Sequence, residues 1–251
     1  MQKIPKIIHY CWFGRGEKNQ KIRECIESWK KYLSDYEFIE WNEDNFDIRC
    51  NQYVKEAYEN RKWAFVTDYV RLYTLYHYGG IYMDTDVEVL KSLDIFLENQ
   101  AFSGFEDEMH IPTGIMGSVK KHIWIEKLLK FYEDKHFIEN EKLDLTPNTQ
   151  TITDITRKEF DLILNNKKQI LKGGLILYPK DYFCPKNHYN GKIYLTENTY
   201  TIHHFNGSWR DKNLLQKIKK IFHSILILIF GEEQHLKIIK KLKKMSKKNE
   251  L

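Results

Sequence analysis

In Tyr78-Gly79-Gly80-Ile81-Tyr82-Met83-Asp84-Thr85-Asp86-Val87-Glu88-Val89-Leu90, two carboxylates interrupt an apolar run that opens on a double glycine. Glycine takes the positive φ that a helix C-terminus needs, so Gly79-Gly80 ends the helix before it. Ile81, Met83, Val87 and Val89 read as strand on either side of the acids. Carboxylates two apart on a strand share one face, and a kink between them brings them closer. Hard cations such as Mg2+ and Mn2+ take carboxylate oxygens and keep positions for phosphate and water. Asp84 and Asp86 therefore form a candidate metal pair. A D-x-D is also common as a solvated turn, so the surrounding residues must decide.

Upstream, Ile4 to Gly14 reads as a buried strand entering a glycine loop, and residues 18–33 as a helix with Ile22, Cys25, Ile26 and Trp29 on one face. Glu37–Trp41 alternates as a second strand, Asn42–Asn45 is a polar turn, and residues 51–59 and 62–78 read as helices. A β-α-β-α-α-β order over the first ninety residues implies an α/β domain. Downstream, strands are expected at 101–105, 175–178 and 200–205, with a strand or loop at 111–118. Helices are expected at 121–133 and from Pro147 to about Leu164, with 135–146 irregular.

The chain's 251 residues suffice for one sizeable core, and 16 Tyr, 14 Phe and 6 Trp exclude a disordered polymer. Four scattered cysteines without a C-x-x-C pair, and no signal-peptide pattern, fit a reduced cytosolic protein. Charge is unevenly spread. Residues 212–251 hold 11 Lys against three Glu, leaving 29 basic and 32 acidic residues in the rest. A mildly acidic body with a basic tail suggests a tail that meets an anionic surface.

Three further groups bear on chemistry. Asp68 and Arg71, at i and i+3 on an otherwise apolar helix, share a face and are costly to bury without a role. Asp68 suits hydrogen bonds from a nucleoside, and Arg71 a phosphate or a carboxylate. Trp12 ends the first strand, where ligands of open α/β sheets sit, and offers a face to a base. His203-His204 and Ser208-Trp209 follow the last strand, where a histidine and a hydroxyl can join a metal.

Ile8 to Gly14, Asp68-x-x-Arg71, Gly79 to Asp86 and His203-His204-x-x-x-Ser208-Trp209 together resemble family 32 of the glycosyltransferases, over roughly residues 4–211. The resemblance implies a GT-A glycosyltransferase fold, an α/β arrangement with a Rossmann-like nucleotide-sugar-binding mixed sheet flanked by helices. It also implies a nucleotide-sugar donor, Mn2+ or Mg2+, and retention of anomeric configuration. On this basis Trp12 stacks the base, Asp68 contacts the donor's ribose or sugar, Arg71 lies near the donor phosphate, and Tyr82 faces the nucleotide. Asp84 contacts ribose and metal, Asp86 binds metal directly, His204 and Ser208 complete the ligand set, and Trp209 closes over the phosphates. If the reaction is a double displacement, Glu106, Asp107 and Asp154 are the carboxylates to consider. A UDP-linked hexose or N-acetylhexosamine is the expected donor. A lipid-linked oligosaccharide of a capsular or lipopolysaccharide pathway is the expected acceptor, and no nucleic acid is expected as a partner. A phosphohydrolase would also use a D-x-D, but needs its nucleophilic acid early in the chain. A non-catalytic membrane module leaves the acids and Trp12 without a role.

Domain boundaries follow: a catalytic domain at 1–211 and a basic amphipathic tail at 212–251. In the tail, Leu214, Leu215, Ile218, Ile221, Phe222, Ile225 and Ile229 recur at helical spacing among lysines. The continuous apolar run from Ile225 to Phe230 is far shorter than the roughly 20 residues that span a bilayer. An interfacial helix on the cytoplasmic face of the cell membrane is expected instead.

Overall fold

A computed structural model describes residues 2–111, 114–206, 222–231, 234, 235, 237–239 and 241. The elements in chain order are β1 (Ile7–Cys11), α1 (Gln20–Tyr32), β2 (Glu37–Trp41), α2 (Gln52–Glu59), α3 (Trp63–Tyr78), β3 (Gly80–Met83) and β4 (Val87–Val89). There follow β5 (Ala101–Gly104), β6 (Ile115–Ser118), α4 (Ile123–Lys130), β7 (Ile138–Glu139), β8 (Lys142–Leu143) and α5 (Asn148–Phe160). Next come β9 (Gln169–Ile170), β10 (Leu175–Tyr178), α6 (Lys180–Phe183) and β11 (Thr201–His203). Asn19 and Asn51 start α1 and α2 by accepting the N–H groups of Ile22 and Val54, which would otherwise lack partners.

Two compact units divide the chain. The first, Met1–Pro185 with Leu195–Trp209, is built on a seven-stranded sheet in the order β2-β1-β3-β6-β5-β10-β9. β1 is parallel to both β2 and β3, and β5 to β10, whereas β6 and β9 run antiparallel to their neighbours. Because β6 opposes both β3 and β5, the strands β1, β2, β3, β5 and β10 share one direction and end along one edge. Central strands feed two cores by alternation. Tyr82, Met116 and Leu177 join the core that contains Val66 and Val70 of α3, while Ile81, Met83, Ile115 and Phe102 join the one that contains Trp29 of α1. Burial on both faces accounts for the continuous apolar reading of β3. The mixed sheet flanked by helices is the arrangement that the GT-A resemblance implies.

Gly79 caps α3 with φ 71°, as the double glycine suggests. Gly80, at φ 99°, sits where a Cβ would lie 2.8 Å from the Ile7 carbonyl, so β3 can lie close beside β1. The apolar run around the acids is not one strand. It breaks at Asp84, and β4 leaves to pair with β11 in a separate two-stranded ribbon. The segment 135–146, read as irregular, contains the β7–β8 hairpin, which turns through Asn140 and Glu141 at φ 49° and 62°. The helix expected to reach Leu164 stops at Phe160, because Asp161 turns left-handed at φ 61°.

The second unit comprises Lys186–Tyr194 and Arg210–Leu251. Residues 222–231 are helical, and Ser224 Oγ donates to the Tyr189 carbonyl at 3.0 Å. His223 Nδ1 and His235 Nε2 are 2.9 Å apart. Phe222, Ile225, Leu228, Ile229 and Phe230 are exposed. Leu214, Leu215, Ile218 and Ile221 lie outside the described residues. Among the described residues, no helix is long and apolar enough to cross a membrane.

Candidate active site

Asp84 follows the last residue of β3, and its N–H continues the ladder to the Gly114 carbonyl at 2.8 Å. The chain then turns, with the Val87 N–H bonded to the Asp84 carbonyl at 3.0 Å, and both acids come to the sheet edge where the parallel strands end. β11 lies antiparallel to β4 with His203 opposite Val87, which brings the imidazole to the acids. Gly114 makes room for it: a Cβ there would stand 2.9 Å from His203 Nδ1.

Each acid divides its oxygens. Asp84 Oδ1 accepts the Tyr82 hydroxyl at 2.9 Å and lies 3.2 Å from Arg71 Nη2, while Oδ2 faces His203 Nε2 at 4.0 Å. Asp86 Oδ2 accepts the Asn206 N–H at 2.7 Å, while Oδ1 lies 3.3 Å from the same His203 nitrogen. One ligand atom from each of Asp84, Asp86 and His203 falls within 4.8 Å of the others. Two carboxylate oxygens and an imidazole nitrogen are a donor set that Mn2+ and Mg2+ accept. The residues present therefore fit the divalent cation that the resemblance implies.

Burial works against the charge on Asp86, but His203 and the N–H groups of Asn206 and of Asp86 itself hold its carboxyl at about 2. Burial also opposes the charge on His203, and Asp86 more than compensates, keeping the imidazole protonated well above the ordinary histidine range. Without a cation, a proton on Nε2 thus neutralises part of the acids' charge. His203 Nδ1 is buried without a hydrogen bond, and the Phe205 ring lies 4.3 Å from the imidazole, with Phe205 at φ 54°.

Beneath the acids lies Arg71 on α3, buried, with Nη2 3.4 Å from Asp68 Oδ1 and Cζ 4.6 Å from the centre of the Tyr82 ring. Its Nε donates to the Thr67 carbonyl at 3.3 Å. Burial disfavours the guanidinium charge, but Asp84, Tyr82 and Asp68 more than compensate and keep it ionised. Burial pushes the Asp68 carboxyl up; Arg71 and the side-chain amide of Asn148, which donates to Asp68 Oδ1, pull the other way. Asn148 was not among the expected site residues. It opens α5 immediately after Pro147, and the proline's signal for a helix start was the available clue to a polar group at that end.

Trp12 extends β1 by one hydrogen bond, its N–H to the Trp41 carbonyl at 2.9 Å, and so stands at the edge where Asp84 emerges. It is half-buried, its indole N–H donates to the Gly16 carbonyl at 2.6 Å, and Lys18 Nζ lies 5.1 Å from the ring centre.

Two expectations need correction. His204, expected as a metal ligand, turns away and holds Glu88 Oε2 at 2.7 Å, because consecutive strand residues point to opposite faces and His203 takes the inward one. Tyr82, expected to face the nucleotide, is almost fully buried and points its hydroxyl at Asp84. Ser208 and Trp209 lie outside the described residues. Among the carboxylates considered for a double displacement, Asp107 accepts the N–H groups of Met109 and His110 in its own turn, and Asp154 is exposed and pairs with Gln150. Glu106 lies close enough for its charge to act on Cys184, which in turn acts on His203.

Comparison with known proteins finds similarity to glycosyltransferases. Residues 19–103 match the family described as glycosyltransferase sugar-binding region containing DXD motif. A mannosyl phosphorylinositol ceramide synthase of Saccharomyces cerevisiae is 33% identical over 144 residues, covering 51% of this chain and 35% of the yeast protein. The chain thus spans little more than a third of the length of that relative. An uncharacterized glycosyltransferase of Acanthamoeba polyphaga mimivirus is 27% identical over 244 residues, covering 90% of this chain and 91% of the viral one. Among solved structures, the PaToxG glycosyltransferase superimposes with a TM-score of 0.48 at 18% identity, covering 63% of this chain and 70% of the other. Asp84-Thr85-Asp86 lies inside the region that resembles the glycosyltransferase sugar-binding region containing DXD motif.

Proposed function

We propose that this protein is a metal-dependent retaining glycosyltransferase that moves a hexose or N-acetylhexosamine from a nucleotide sugar, UDP-linked, to a lipid-borne saccharide of the cell surface. The observation that carries the reading is the convergence of Asp84, Asp86 and His203 at the sheet edge, above a buried Arg71. Asp84 Oδ2, Asp86 Oδ1 and His203 Nε2 would hold Mn2+ or Mg2+. When bound, such a cation neutralises the negative charge that grows on a departing diphosphate. Arg71 adds a fixed positive charge to the floor of the site, where it acts in low dielectric without reorganising. Trp12 stacks the base, and Asp68 accepts a hydroxyl of the donor. In the transfer, the bond from the anomeric carbon to the β-phosphate oxygen breaks and a bond to the acceptor oxygen forms. The acceptor's proton passes to the departing phosphate, so no enzyme nucleophile is required.

The yeast relative is named as a synthase of mannosyl phosphorylinositol ceramide, a glycosylated lipid, which favours a lipid acceptor here as well. The exposed face of Phe222, Ile225, Leu228 and Ile229, in a tail with 11 lysines, supports peripheral attachment to the inner face of the membrane. In this reading residues 1–211 catalyse and 212–251 attach. A panel of nucleotide sugars with Mn2+, read by released nucleoside diphosphate, tests the function. Release from at least one UDP-sugar, lost in EDTA, is expected; metal-independent release, or none from any donor, would refute it.

A further inference from the structure

Tyr82 has a position that the metal reading does not by itself require. Its ring is almost fully buried under the Arg71 guanidinium, at 4.6 Å, and its hydroxyl donates to Asp84 Oδ1 at 2.9 Å. Arg71 Nη2 approaches that same oxygen at 3.2 Å. Asp84 Oδ1 thus already has two donors within the protein, and Oδ2 is the oxygen turned toward His203. Asp86 Oδ2 has one such donor, the Asn206 N–H. With two donors on Oδ1, Asp84 offers a cation one oxygen, not two. Ca2+ prefers six to eight oxygens and often takes carboxylates through both, whereas Mg2+ and Mn2+ are satisfied by single oxygens in an octahedral shell.

We propose that Tyr82 is a positioning residue that confines Asp84 to one-oxygen coordination and so makes the site prefer Mn2+ and Mg2+ to Ca2+. This rests on the metal site proposed above. Tyr82→Phe removes the hydroxyl and keeps the buried ring under Arg71. Loss of a partner that orients a metal ligand costs roughly 10–100-fold in metal affinity, and a decline of that order is expected for Mn2+. Ca2+ affinity should fall less than that for Mn2+, because Asp84 Oδ1 then keeps only Arg71 as a partner and has a lone pair left for a cation.

The test is calorimetric titration of the full chain with Mn2+ and with Ca2+, for wild type, Tyr82→Phe and Asp86→Asn, with melting in EDTA as a control for folding. A weaker Mn2+ site and a narrower Mn2+-to-Ca2+ ratio in Tyr82→Phe, with unchanged melting, support the proposal. Equal Mn2+ affinity in wild type and Tyr82→Phe, with binding lost in Asp86→Asn, overturns the role of Tyr82 and leaves the metal site standing. No Mn2+ binding by the wild type overturns both. Should Tyr82→Phe fail to fold, infrared difference spectra of wild type labelled with 13C-aspartate, recorded on Mn2+ addition, decide the matter. The wide splitting of a one-oxygen carboxylate ligand is expected, and the narrow splitting of a chelating one contradicts the proposal.

Discussion

Replacing Glu56 with Gln should remove a pH-dependent part of the stability and loosen one wall of the site. Glu56, on α2, is buried and binds a segment some eighty residues away. Its carboxylate accepts His136 Nδ1 at 2.8 Å, the Phe137 N–H at 2.7 Å and the Ile138 N–H at 3.0 Å, as well as Gln52 Nε2 at 2.8 Å. Burial raises its pKa, but these donors more than compensate and hold it at about 2. A drop from an unfolded value of about 4.5 to about 2 corresponds to an upper bound of roughly 3 kcal/mol; Gln keeps one acceptor, so a loss of about 2 kcal/mol is expected at pH 7. Since the folded pKa is depressed, the stabilisation is complete above the unfolded pKa and disappears as pH falls through the folded one. Urea unfolding of wild type and Glu56→Gln from pH 7 to pH 2 should therefore give curves that are separated at neutral pH, draw together below the unfolded pKa and meet only as the pH nears 2. The segment that Glu56 pins leads to Asn148, so the variant should also bind the donor more weakly. A constant gap across that pH range, or none at pH 7, would contradict the argument.

His203→Ala should raise the Mn2+ needed for half-maximal turnover far more than His204→Ala does, since only His203 faces the acids; equal effects in a metal titration would refute the assignment. Mn2+ affinity should fall on acidification, because the metal must displace the proton that Asp86 stabilises on His203, and titrations at two pH values check this. Trp12→Ala should weaken UDP binding by about 1–3 kcal/mol, the range for base–aromatic stacking, with little change in melting temperature; normal binding with a lowered melting temperature would make Trp12 a packing residue. Leu228→Glu with Ile229→Glu should abolish flotation of the full chain with anionic vesicles at low salt, and a variant that floats like wild type would remove the membrane reading.

Much of the fold was legible because its signals are local. Gly79-Gly80 and the alternating Glu37–Trp41 each act within a few residues. Asp68 and Arg71 were legible for the same reason, since spacing on one helix fixes their common face. What the sequence did not show depends on pairing between distant segments. Which of His203 and His204 faces the acids is set by the register of β11 on β4, more than a hundred residues earlier. Whether Tyr82 faces nucleotide or interior depends on α3 covering that side of the sheet with Arg71. Asn148 reaches Asp68 across eighty residues, and Glu56 binds a hairpin too short to show strand periodicity. The break of one apparent strand into β3 and β4 is likewise tertiary, because the ribbon partner of β4 comes from the end of the unit.

The most direct test of the account is a crystal structure with Mn2+ and UDP, in which anomalous scattering locates the metal. The account predicts a single ion within bonding distance of Asp84 Oδ2, Asp86 Oδ1 and His203 Nε2 that also contacts the diphosphate. An ion bound elsewhere, or UDP held with His203 still paired to Asp86 and no metal between them, would contradict it.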